Sequence, residues 1–145
     1  MTAKEFLGQY RRAERIADRL RAEYEKELIQ IDAVRSVSDI DGMPHGNGIN
    51  KTTEDKAIRL ADKAMAWRMA ELDAIEIRQQ VFDLIWDIPD IEGDILYERY
   101  IELRKWADVC EKLSRSWPSV RSHHIKALDI VDEKIKKQQH VTSTM

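Results

Sequence analysis

The sequence predicts an all-α chain, a long antiparallel helical hairpin followed by a three-helix unit that contains a helix-turn-helix. Three observations predict it. Apolar residues recur at three- and four-residue steps over two stretches of about thirty residues each. The 145 residues include only 5 Gly and 3 Pro, which leaves little turn chemistry for a sheet. Between Leu96 and Val131, two apolar-periodic segments flank the polar break Ser114-Arg115-Ser116, the pattern of two helices joined by a tight turn.

The first helix is expected from Thr2 to about Val34. Its apolar positions are Leu7, Tyr10, Ala13, Ala17, Leu20, Tyr24, Leu28, Ile31 and Val34, each step being three or four. The opposite face mixes Glu14, Asp18, Glu23 and Glu27 with Arg15 and Arg19, a solvated surface. The stripe is narrow and suits a coiled-coil seam. Ser36 to Thr52 holds three Gly, a Pro and two Asn, and reads as a loop. His45 stands there near Asp41 and Asn47 with no second His or Cys at metal-binding spacing, so it is read as an exposed loop histidine.

Thr52 or Thr53 is placed as the N-cap of a second long helix, with Glu54-Asp55 favouring its positive end. This helix is expected to run to about Asp87. Its stripe is Ile58, Ala61, Met65, Met69, Leu72, Ile75, Phe82 and Trp86, interrupted by Gln79, while Leu60, Trp67 and Ile77 widen the apolar surface. Two such helices form a hairpin roughly 45 Å long at 1.5 Å per residue. Residues 1–88 are thus expected to be a hairpin domain with loop 36–52, and its spare apolar surface predicts a homodimer. The alternative is that the C-terminal helices fold back and cover that surface.

Ile88-Pro89-Asp90 ends the second helix, because proline restricts the residue before it and lacks a ladder donor. Helices are expected at about 90–103, 105–113 and 117–137, a three-helix domain over 89–137. Ile91, Ile95, Leu96, Tyr100 and Leu103 face the motif that follows, and Trp106, Val109, Cys110 and Leu113 form the apolar side of its first helix. Ser116 is placed to cap the last helix, with Pro118 in the first turn where its missing N–H is harmless. Val120, Ala127, Leu128 and Val131 form the core side of that helix, with His124 at its edge as a hydrogen-bonded histidine. Residues 138–145 read as a disordered tail.

Leu96, Tyr100-Ile101, Trp106, Val109, Leu113, Ser116, Val120, His124 and Ala127-Leu128, in that order, resemble the fourth region of the sigma-70 factors. More narrowly, they resemble the phage transcriptional regulators of the ArpU/RinA type. Gly42-Met43-Pro44-His45-Gly46-Asn47-Gly48, followed by Thr53-Glu54, resembles the Gly/Pro-rich loop such proteins carry between two long helices. Two positions depart from the pattern, Ser114 where the family usually has Gly and His123 where it has an apolar residue. The resemblance implies a phage or prophage regulator of transcription, an activator of late genes that contacts host RNA polymerase in the bacterial cytoplasm.

The charge distribution agrees with a double-stranded DNA partner. The chain carries a net charge of −3, yet residues 1–94 hold 14 Lys/Arg against 20 Asp/Glu, and residues 95–145 hold 10 against 7. Between Arg104 and Lys126 there are six basic and two acidic residues, a modest electrostatic footprint for DNA. Ser119, Arg121, Ser122 and Ile125 are expected to reach base edges from the first turns of the last helix, Arg121 through its two-pronged match to guanine. Arg104, Lys105, Lys112, Arg115 and Lys126 are expected to hold phosphates.

Other classes find less support. There is no Gly-rich phosphate loop, no His-x-x-x-His or Cys-x-x-Cys spacing and no nucleophile elbow, so no enzyme, metal or cofactor is expected. No run approaches the roughly 18 apolar residues of a membrane span. The N-terminus, with Lys4 and Arg11 but no apolar core, is not read as a signal peptide. The single cysteine, Cys110, is read as core and suits a reducing cytoplasm. The alternatives are a small terminase-like packaging protein and a helical adaptor that binds no DNA.

Overall fold

The computed structural model describes residues 1–41 and 47–143, with side chains described for 1–33 and 53–141. It is all-α, with no strand among the described residues. In chain order the helices are α1 (Ala3–Leu7), α2 (Gln9–Asp41), α3 (Asn47–Ile85), α4 (Asp90–Leu96), a π-helical turn (Tyr97–Ile101), α5 (Trp106–Leu113) and α6 (Trp117–Ser143). No described helix is long and apolar enough to cross a membrane.

Several boundaries differ from those expected. The first helix is broken at Gly8, so that a short capped α1 precedes α2. Thr2 caps α1 in a reciprocal box, its hydroxyl accepting from the Glu5 amide while the Glu5 carboxylate accepts from the Thr2 amide. The loop expected over 36–52 is helical through Asp41 and again from Asn47, so Thr52 and Thr53 lie inside α3 rather than at its start. The remainder of that loop, with His45, lies outside the described residues. The tail expected to be disordered from 138 is helical to Ser143, as α6 simply continues, and 144–145 lie outside the described residues.

The chain forms two compact units, Met1–Arg12 with Ala74–Met145, and Ala13–Asp73. The expected boundary at residue 88 is therefore displaced. The first dozen residues and the end of α3 belong with the C-terminal helices, because they supply that core. Leu7, Val81, Leu84, Ile85, Leu96, Ile101, Ala127 and Val131 are buried together there. A second cluster of Ile95, Val109 and Val120 holds α5 and α6 on α4, with Cys110, Trp106 and Leu113 packed against it. Polar ties fix the same elements. Asp132 accepts the Ala3 amide at 2.8 Å, and Lys134 of α6 donates to the Leu84 carbonyl at 3.0 Å and pairs with Asp87. A lysine on those terminal carbonyls of α3 also opposes the negative helix end.

The Ala13–Asp73 unit is an antiparallel helix pair. Tyr24 stacks on Trp67 with centroids 5.5 Å apart, and one turn further along α2 Glu27 meets Lys63 at 3.3 Å. Among its described side chains only Ala17 is buried, while Ile58, Met65, Met69 and Leu72 of α3 are each between 58% and 61% exposed.

Gly93 is required by close approach. A Cβ at that position falls on the backbone carbonyl of Ile88, where the chain reverses through Pro89 into α4. Gly93→Ala is expected to lower the stability of the C-terminal unit by about 1–3 kcal/mol, the range for an overpacked core. Chemical denaturation followed by circular dichroism measures this, and an unchanged midpoint would show that the reversal shifts freely.

Candidate nucleic-acid interface

The π-helical turn and the turn between α5 and α6 position the site. The inserted residue in Tyr97–Ile101 gives the long Glu102 N–H to Tyr97 carbonyl bond of 3.0 Å. The chain then leaves through Leu103, whose φ of 57° is left-handed and strained for a branched side chain. After α5, Ser114 takes φ 54° and ψ 45°. The Arg115 amide donates to the Cys110 carbonyl at 3.0 Å and the Ser114 amide to Glu111 at 3.2 Å, the paired bonds of a Schellman stop. Serine thus fills the conformation for which glycine is favoured. The Val120 amide donates to the Ser116 carbonyl at 3.0 Å, placing Ser116 at the N-cap of α6.

Glu98 ties these pieces together. It is 7% exposed, and its carboxylate accepts from Arg104 Nε at 2.6 Å and pairs with Lys112 Nζ at 3.0 Å. Burial alone pushes its pKa up. The hydrogen bonds and charges of Lys112 and Arg104 overcome that and hold it below the usual carboxylate range. Two residues expected at phosphates therefore already serve an internal carboxylate. Arg115, Lys105 and Lys126 remain exposed with no ion pair among the described residues.

Of the four residues expected at base edges, two line a cavity and two do not. Arg121 and Ile125 line a cavity of about 490 Å³, Arg121 exposed and Ile125 53% exposed. Ser122 is exposed and Ser119 half-buried, neither of them on that cavity wall. Lys4 and Arg11 from α1 and α2, and Arg99 from the π turn, bring three further cations to the cavity. Tyr100, Trp106, Trp117 and His124 form its aromatic wall. Arg99 lies over the Trp106 ring at 4.6 Å, and Trp106 meets Trp117 edge-on at 5.3 Å.

The sequence reading missed Lys4, Arg11 and Arg99. Lys4, Gly8 and Arg11 repeat at four and three residues, putting two cations and a gap on one face, which is a legible signal once α1 is known to pack here. Arg99 carried no such signal, because its inward position depends on the π turn.

His124 behaves as expected for an edge histidine. Its Nε2 and the Tyr100 hydroxyl are hydrogen-bonded at 2.8 Å. Burial, followed by the charges of Lys4 and Arg99, lowers its pKa to about 4, so the ring is neutral near pH 7. His123, where the resembled family has an apolar residue, pairs through Nδ1 with Glu92 at 2.9 Å. No family model, curated protein or solved structure matches the chain.

Two pH windows follow. The unfolded chain protonates His124 near 6.5 and the folded chain near 4, so stability from this group is lost as pH falls through that interval. Glu98, depressed in the fold, contributes stability that is present above about 4.5 and is lost at lower pH. His124→Gln is expected to flatten the upper window and Glu98→Gln the lower one. Denaturation midpoints measured from pH 7.5 to 3.5 check both, and a wild-type midpoint constant from pH 6.5 to 4.5 would contradict the first.

Proposed function

We propose that this protein is a sequence-specific DNA-binding regulator of transcription, non-catalytic, which reads double-stranded DNA with the first turns of α6. The observation that supports it best is the exposed start of α6 beyond a tight three-residue turn, carrying Arg121, Ser122 and Ile125 outward while Val120, Ala127 and Val131 are buried. A short helix, a stop and a second helix held on a shared core is the arrangement by which a recognition helix enters a major groove. Exposed Ile125 suits a thymine methyl, and the Arg121 fork suits guanine. Arg115, Lys105 and Lys126 are the phosphate contacts, with Arg104 and Lys112 secondary because Glu98 competes for them. The resemblance to phage regulators of the ArpU/RinA type adds the cellular context of a phage or prophage late-gene activator, and host RNA polymerase as a further partner.

The active form in this reading is a homodimer. One copy of so modest a basic surface binds weakly and with strong salt dependence, and two linked copies gain affinity through effective concentration. The Ala13–Asp73 helix pair supplies the means, having one buried apolar residue among those described and a row of four exposed ones along α3. A second copy of the same row completes the missing core.

Arg121→Ala is expected to weaken binding at a selected genomic site by about 1–3 kcal/mol with little change on random duplex. Equal losses on both would make Arg121 a phosphate contact. Arg115→Ala should weaken both and reduce the salt slope by about 0.9. Light scattering of the Met65→Glu variant tests the dimer. The wild type is expected at twice the mass of one chain and the variant at one. A wild-type monomer would remove the dimer from this reading, and eight or more copies would favour a packaging ring.

A further inference from the structure

The cavity beside α6 has a chemistry that groove binding does not use. Lys4, Arg11, Arg99 and Arg121 converge on it and no carboxylate lines it. None of the four has an ion pair among the described residues. The Arg11 guanidinium donates to the Leu103 carbonyl at 3.4 Å and the Arg99 guanidinium to the Arg104 carbonyl at 2.9 Å, bonds that position each cation without neutralising it. Arg99 is part-buried and close enough to Arg11 to feel its charge. Guanidiniums held close together in an apolar setting repel each other, and an anion between them relieves both that repulsion and their lost hydration. The remaining wall is aromatic. One face of Trp106 is already covered by Arg99, while Trp117, edge-on to Trp106, also lines the cavity and is 45% exposed.

An inorganic anion would use the cations and leave the rings idle, and a neutral aromatic would do the reverse. We propose that this cavity binds one nucleotide unit, its phosphate held by Lys4, Arg11 and Arg99 and its base stacked on Trp117. A volume of about 490 Å³ lies in the range of small-molecule sites. Base-on-indole stacking with flanking arginines is the means by which single nucleotides are held without sequence reading. The nucleotide has two possible sources, a free mononucleotide or one exposed in a nucleic-acid strand. The site goes beyond the proposed reading of duplex DNA and shares only Arg121 and Ile125 with it.

Isothermal titration of the full chain with AMP, inorganic phosphate and single-stranded hexathymidylate tests this. AMP or the oligonucleotide is expected to bind at least tenfold more tightly than phosphate. An oligonucleotide more than tenfold tighter than AMP assigns the strand as source, and comparable affinities assign the free nucleotide. Trp117→Leu and Lys4→Gln should each weaken nucleotide binding about tenfold. Lys4 is exposed, so its replacement keeps the fold intact even where loss of Trp117 disturbs it. Phosphate binding as tightly as both nucleotides, no binding of any of them, or wild-type affinity in Lys4→Gln overturns the proposal. Duplex binding measured in parallel separates the two readings. Lost nucleotide binding with duplex binding retained removes only the cavity proposal, and the reverse removes only the duplex reader.

Discussion

A carboxylate among apolar side chains is costly unless its oxygens are filled by charged donors, and Glu98 is the one buried charged residue among those described. Its solution determines the local architecture. One oxygen takes Arg104 and the other Lys112, so the segment after the π turn and the far end of α5 are both drawn to one point. The Glu98 carbonyl also accepts the Arg104 amide at 3.0 Å, locking the strained step through Leu103. With α5 anchored there, Val109 reaches Ile95 and Val120, and the start of α6 is held on the same cluster. The outward face of α6 is thus a consequence of an inward carboxylate.

That arrangement divides the basic residues of the C-terminal region into two kinds. Arg104 and Lys112 are engaged by Glu98, which costs them freedom to follow a phosphate. Arg115, Lys105 and Lys126 have no such tie among the described residues. The positive field near α6 is meanwhile extended from outside the motif by Lys4, Arg11 and Arg99. A count of charges along the motif therefore misjudges its surface in both directions.

The core of the motif was legible because helical periodicity is a local property. Val109, Val120, Ala127 and Val131 are all fully buried, and Cys110 packs against the cluster of Val109 and Val120 as its place on the apolar face implied. At Ser114 only the polar turn and the departure from the family's usual Gly were legible; the left-handed conformation that stops α5 after Leu113 is seen in the structure alone. The π turn was not legible. One inserted residue shifts the register of everything before Leu103, and no three-four pattern reveals where the shift occurs. Glu98 and Arg99 turn inward for that reason. Helix ends failed differently: the polar runs before Asp41 and after Lys137 read as loop and tail, yet the backbone carries on through both.

The two units also differ in how much of their folding energy is internal. The unit of Met1–Arg12 with Ala74–Met145 buries large side chains from α1, α3, α4 and α6, including Leu7, Val81, Leu96 and Val131. The Ala13–Asp73 pair relies on a Tyr24–Trp67 stack and on ion pairs such as Glu27 with Lys63, in which the lysine is a third exposed. Partly exposed pairs contribute at most about 1 kcal/mol each, far less than the burial of an apolar side chain at 1.5–3 kcal/mol. Trp67 adds a buried indole N–H without a partner, which subtracts from the stack's benefit. The row from Ile58 to Leu72 on α3, with Ile16 and Ile29 on α2, is apolar surface that this pair leaves exposed, so little of that burial energy is realised within it.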